Sequence, residues 1–158
     1  MNKVFEDFFS ELQADMVSIC LEYVSNNADT IFIYCSFEEK VISSDFFFLI
    51  NGKVVRKNKL NDALEKDENE FQYNTSVDRQ RGVMRIINGD IEKIYKLCNE
   101  YNREMPTEIK LVYKVDKNSL NAEYKYDLIH TNDPVKTADD ISMEWFEQIK
   151  MGLTNNKV

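Results

Sequence analysis

His130 is the one histidine in 158 residues, and histidine is the side chain whose ordinary pKa best suits acid–base work near neutral pH. Its setting, Ile129-His130-Thr131-Asn132, reads as a polar loop after a strand, so a solvated histidine is expected rather than a general base. Cys20, Cys35 and Cys98 could each supply a nucleophile, but all three stand among apolar residues on helix or strand faces, where a thiol stays protonated and inert. One histidine and three scattered cysteines give no ligand pair at zinc spacing. The stretch Asp116 to Asn121 begins like a calcium loop, with Asp116 and Asn118 two apart, yet its sixth position is Asn121 where the sharp turn needs glycine. None of the four glycines falls in a phosphate-cradling pattern. No metal and no cofactor is expected.

Two carboxylate pairs, Glu38-Glu39 and Asp139-Asp140, could divide acid and base roles if one member sat in an apolar pocket. The simpler expectations are a loop between strands for the first pair and, for the second, the first turn of a helix, where the macrodipole favours negative charge. Trp145 lies on a periodic apolar stripe and is expected in the core. The chain is therefore expected not to be an enzyme.

The elements that carry these residues follow from periodicity. From Val4 to Val24, Phe5, Phe8, Phe9, Leu12, Met16, Ile19 and Tyr23 recur at three and four, which predicts a helix closed by Asn26-Asn27. Thr30 to Phe37 is β-branched and aromatic, as a buried strand is. Phe46 to Ile50 and Lys53 to Arg56 are two further apolar runs joined by Asn51-Gly52, a dipeptide suited to a tight hairpin turn. Asn58 to Thr75 turns polar and acidic, a surface segment with room for one short helix. Val83, Ile87, Ile91, Ile94, Cys98 and Tyr101 then hold helical spacing up to a stop at Pro106. Two readings stay open there, a continuous helix or a break at Asn88-Gly89 with Asp90 capping a shorter one.

Thr107 to Val115 alternates apolar and polar residues, and Leu120 to Tyr126 is its hairpin partner across Asp116-Lys117-Asn118-Ser119. Thr137 with Asp140 forms a capping box, and Ile141, Trp145, Ile149 and Leu153 mark the buried stripe of a last helix. The predicted class is α+β: an antiparallel sheet, made of a meander plus a C-terminal hairpin, packed with an N-terminal, a central and a C-terminal helix. Residues 1–153 are read as a single domain and 154–158 as a frayed tail.

The chain is 43% hydrophobic and carries a formal charge of -8, so it has material for a core and a surface that repels phosphate backbones and anionic lipid. Neither direct nucleic-acid binding nor membrane binding is expected. An odd number of core-like cysteines suits reduced thiols, the N-terminus mixes charge into its apolar pattern unlike a secretory signal, and no apolar run is long enough to span a bilayer. Cytoplasmic localisation is expected.

The C-terminal half carries a resemblance. Met105-Pro106-Thr107-Glu108-Ile109-Lys110-Leu111, Ala122-Glu123-Tyr124-Lys125-Tyr126-Asp127, Asn132-Asp133-Pro134, Asp139-Asp140-Ile141 and Glu144-Trp145-Phe146 together resemble the YezG-like immunity proteins of bacterial toxin systems, over roughly Val77 to Lys150. The resemblance implies a small cytosolic antitoxin that binds the toxic C-terminal domain of a secreted toxin, often a nuclease, and blocks it without catalysis. Many family members finish on an aromatic and proline-containing tail, whereas Met151 to Val158 is plain and polar here.

The acidic balance would steer a basic toxin domain toward this chain. Partner contacts are expected from exposed carboxylates interleaved with aromatics: Glu38, Glu39, Asp62, Glu65, Asp67, Glu68, Glu70 and Tyr73. The alternative is a non-catalytic cytosolic adaptor or a self-associating protein, a homodimer formed through exposed apolar positions of the last helix.

Overall fold

A computed structural model describes residues 3–65 and 71–155. Helix α1 (Phe5–Tyr23) opens with the Asp7 carboxylate accepting the Val4 N–H at 3.0 Å. It closes through positive φ at Ser25 and Asn26, with the Asn26 N–H reaching back to the Leu21 carbonyl at 2.9 Å. The chain then forms the meander β1 (Thr30–Glu38), β2 (Val41–Ile50) and β3 (Lys53–Arg56). Asn51 and Gly52 both take positive φ between β2 and β3, as the tight turn requires. A 3-10 turn at Leu60–Ala63 occupies the polar segment. Helix α2 (Val77–Glu100) leads to the hairpin β4 (Glu108–Lys114) and β5 (Ser119–Lys125), and α3 (Ala138–Asn155) ends the fold.

All pairings are antiparallel, in the order β3-β2-β1-β4-β5. The hairpin therefore joins the meander through β1, which becomes the central strand. Its alternation sends Ile31, Ile33 and Cys35 to one face, where α1 and α2 bury them with Met16, Cys20, Ile87, Ile91 and Ile94. Phe32 and Tyr34 point to the other face, where α3 lays Trp145 and Phe146 against Phe47 and Val54. Trp145 meets Phe32 and Phe47 edge-on, at ring separations of 5.9 and 5.2 Å. The α+β class, the antiparallel sheet and its helical cover agree with the sequence reading.

Several boundaries differ, each for a physical reason. Strand β2 starts at Val41, five residues before its aromatic run, because its backbone pairs with β1 as far as Val41 opposite Glu38 and its polar side chains find partners on other elements: Ser44 bonds Asn88 at 2.6 Å and Asp45 pairs with Lys57 at 2.6 Å. Helix α2 runs unbroken through Gly89, since the apolar stripe packed on the sheet outweighs a glycine's roughly 1 kcal/mol cost. Asp90 consequently lies mid-helix rather than at a cap. The same helix stops at Glu100, before Pro106, where Asn102 takes positive φ and the Arg103 N–H closes on the Cys98 carbonyl at 2.8 Å.

Helix α3 is described through Asn155; residues 156–158 and the side chains of 153–155, and with them most of the tail read as frayed, lie outside the described residues. Among the described residues no helix is long and apolar enough to cross a membrane. Cys20, Cys35 and Cys98 are buried free thiols, and burial pushes all three upward, Cys35 to about 12.

Candidate functional site

Glu38 is the last residue of β1, and its side chain turns toward the loop that joins β5 to α3. One carboxylate oxygen accepts the Ile129 N–H at 3.0 Å; the other accepts the Thr131 N–H at 3.1 Å and the Thr131 hydroxyl at 2.6 Å. The His130 N–H lies 3.3 Å from both oxygens. Burial alone would raise this carboxyl, but the Thr131 hydroxyl and the three backbone donors outweigh it and hold it below its ordinary value. Glu38 is only 2% exposed, which corrects its expected place on an exposed acidic face.

His130 is likewise no free loop histidine. Its Nε2 sits 3.1 Å from Ser36 Oγ and 3.2 Å from Glu38 Oε2. Serine, histidine and carboxylate invite comparison with a nucleophilic triad, but a triad uses one ring nitrogen for the nucleophile and the other for the acid. Here both partners meet the same nitrogen, and Ser36 is 1% exposed. The arrangement serves as a clamp on the loop.

The rest of the loop, residues 126–137, is fixed in the same way. Thr107 Oγ1 donates to the Asp127 carbonyl at 2.6 Å. Asp133 Oδ1 accepts the N–H groups of Val135 and Lys136 at 2.8 and 2.9 Å, the local turn that Asn-Asp-Pro favours. Thr137 and Asp140 complete the reciprocal cap of α3 at 3.0 and 3.3 Å. A segment without regular structure is thus tied down along its length while Tyr126, Leu128 and Val135 are exposed to solvent, Val135 by 79%.

Beside the loop, buried Glu108 accepts the Tyr34 hydroxyl at 2.9 Å and faces Lys110 and Lys125 at 3.7 and 3.8 Å. Burial, followed by the Glu108 charge, raises the Tyr34 phenol far above its ordinary value. These groups continue the polar row of Ser36 and Glu38 along one face of the sheet.

The expected contact residues do not converge. Glu39 is exposed in the β1–β2 turn, whereas Asp62 and Glu65 are exposed near the opposite end of β2. A ten-residue strand separates those ends by about 30 Å. Tyr73 is buried, 7% exposed, with its N–H on Asn61 Oδ1 at 2.7 Å, so it offers no surface ring. Asp67, Glu68 and Glu70 lie outside the described residues.

Sequence reasoning passed over a different carboxylate. Asp90, read as a possible cap, is 2% exposed, and its buried Oδ2 accepts from no N–H or hydroxyl group; the neighbouring carboxyl of Asp15 is what it meets. Burial first, then hydrogen bonding to Asp15 and its charge, raises Asp90 to about 7. The signal was present: position 90 falls three after Ile87 and four before Ile94, on the apolar stripe itself. No group of three or more His, Cys, Asp or Glu among the described residues is placed to hold a metal ion.

No protein-family model matches the chain, and comparison with curated proteins gives no match.

Proposed function

We propose that this protein is a cytoplasmic, non-catalytic immunity protein that binds and neutralises the toxic C-terminal domain, a nuclease, of a secreted bacterial toxin. The observation that carries the binding part of this reading is the pinned loop: buried Glu38 and the loop's own polar residues fix 126–137 while Tyr126, Leu128 and Val135 remain exposed. A loop ordered before the partner arrives loses little entropy on docking, and its exposed apolar side chains give the contact its desolvation energy. Thr107, Asp127, Asp133 and Asp140, which belong to the strings that resemble YezG-like proteins, supply several of the bonds that fix it. The charge of -8 favours a basic partner and speeds the encounter.

Genes of such pairs usually sit side by side, so the partner is the C-terminal domain encoded by the neighbouring reading frame. Coexpression with that domain carrying an inactivating substitution, followed by affinity copurification, tests the reading. A stoichiometric complex supports it; two well-expressed proteins that separate on the column refute it.

A second reading, self-association, is favoured by Met143 and Met151, exposed on α3 by 45% and 61%. An isologous dimer through α3 would cover both side chains. Light scattering across a concentration series decides between a monomer and that dimer.

A further inference from the structure

We infer that the cleft between β3 and α3 receives an extended acidic segment of a partner protein, which joins the sheet as an added strand on the free edge of β3. This surface shares no residue with the pinned loop, and the inference does not rest on the toxin reading.

Strand β3 ends the order β3-β2-β1-β4-β5, so one of its sides has no neighbouring strand. The turn decides which backbone groups that side presents. Asn51-Gly52 is a two-residue connection, so Ile50 and Lys53 close it as a hydrogen-bonded pair, and the next pair, Leu49 with Val54, is a non-bonded one. Two further bonds agree with that phase: the Leu49 carbonyl accepts the Asp29 N–H at 2.8 Å on the β1 side, and the Arg56 carbonyl accepts the Lys59 N–H at 2.9 Å. Val54 and Arg56 therefore turn their backbone groups away from β2. Among the described residues no hydrogen bond takes the N–H or carbonyl of Val54 or the N–H of Arg56. An added strand bonds to alternate residues of the edge it meets, and these three groups stand at that spacing.

Val54 and Arg56 also line a cleft of about 510 Å³, in which β3 faces Phe146, Glu147 and Lys150 of α3. Four residues of β3 give it a length of about 13 Å. Its charge runs against that of the chain: Lys53, Arg56, Lys59 and Lys150 line it with only Asp62 and Glu147, in a protein of net charge -8. Arg56 is held over the Phe146 ring at 4.5 Å, with Glu147 3.8 Å away, whereas Lys53 and Lys59 are exposed. A cleft of this sign attracts an acidic occupant.

A phosphate chain fits less well, because it has no N–H for the Val54 carbonyl. A second copy of the chain fits less well too, since two β3 edges side by side would set Lys53, Arg56 and Lys57 of one copy against the same cations of the other.

The probe is a short capped peptide of alternating glutamate and valine, added to the isotope-labelled protein at low salt and followed by amide chemical shifts. The expected result is saturable shifts at Val54, Arg56 and Lys59 and no binding of the same peptide with lysine in place of glutamate. Lys53→Glu with Lys59→Glu, at two exposed positions, lowers the affinity roughly tenfold. Methylation of the peptide nitrogens separates strand pairing from charge attraction. Of two versions, one methylated on every valine nitrogen and the other on every glutamate nitrogen, one binds like the parent and the other roughly tenfold more weakly. That comparison uses the wild-type protein, so it does not depend on how the variant folds. Shifts that do not saturate or that lie away from β3, equal binding of the two methylated versions, tighter binding of a short oligothymidylate than of the peptide, or a protein dimer that covers β3 overturn the inference. No toxin domain is present, so failure here leaves the immunity reading intact, and failure to copurify a toxin leaves this site intact.

Discussion

Thr131 Oγ1 donates to Glu38 Oε1 at 2.6 Å across 93 residues of sequence. That bond and the three backbone donors around it join the end of the central strand to the loop before α3. The strand that the whole sheet is built around thus also sets the loop's shape.

Glu38→Gln is expected to cost roughly 2–3 kcal/mol, because the new amide nitrogen faces donors where a charged acceptor stood. Chemical denaturation measures the loss, and hydrogen exchange places it: the amides of Ile129, His130 and Thr131 lose protection. Wild-type protection at those amides in the variant would contradict the clamp. His130→Ala, which removes only the ring contacts to Ser36 and Glu38, is expected to cost about 1 kcal/mol.

Acid should release the loop at a defined point. The folded-state pKa of Glu38 lies below its ordinary value of 4.5, so its stabilisation is fully present above the unfolded value and lost as pH falls through the folded one. Loop amide shifts followed by NMR in His130→Ala, where no imidazole can contribute, should therefore move below pH 4.5. A transition centred above 4.5 would assign the change to another group.

Asp90 titrates with the opposite sign. Its folded pKa, about 7, lies above the unfolded value, so the fold is penalised progressively as pH rises from about 4 through 7. Asp90→Asn is expected to stabilise the protein at pH 8 by about 1 kcal/mol, near 3 °C in Tm, and to have little effect at pH 4. Equal effects at the two pH values would mean that ionisation of Asp90 carries no cost.

Leu128→Ala with Val135→Ala should change folding stability by no more than about 0.5 kcal/mol, since both side chains are exposed. The same pair should weaken toxin binding by about 2 kcal/mol, as truncation of interface anchors does. Calorimetry of the complex checks this, and unchanged affinity would remove the loop from the interface.

Association kinetics can locate the electrostatic contribution. Glu39 lies next to the clamp, whereas Asp62 and Glu65 lie toward the far end of β2. Glu39→Lys is expected to slow association several-fold and to flatten its salt dependence more than Asp62→Lys with Glu65→Lys does. The reverse ranking would move the interface to the β2–β3 end.

The sequence exposed what depends on neighbours in the chain. Phe5 to Tyr23 declared a helix by spacing, Asn51-Gly52 declared a turn, and Thr137 with Asp140 declared a cap, because each signal spans only a few residues. The pairing of β1 with β4, from Thr30 opposite Lys114 to Ser36 opposite Glu108, depends on contacts 72 to 84 residues apart and leaves no local mark. Glu38 and Glu39 show the same limit at one site. They are adjacent in sequence and both acidic, yet one is buried by a loop that arrives 91 residues later and the other turns to solvent. Asp90 was more legible than its reading allowed, because an acid on an apolar helical stripe marks a buried charge by spacing alone.

The most direct test is a growth assay in bacteria that express the neighbouring toxic domain, with this protein wild type, carrying Leu128→Ala and Val135→Ala, or absent. The account predicts full rescue by the wild type and lost or weakened rescue by the loop variant at equal expression. Growth arrest despite abundant, folded wild-type protein would contradict the immunity function, and full rescue by the loop variant would contradict the loop as its binding surface.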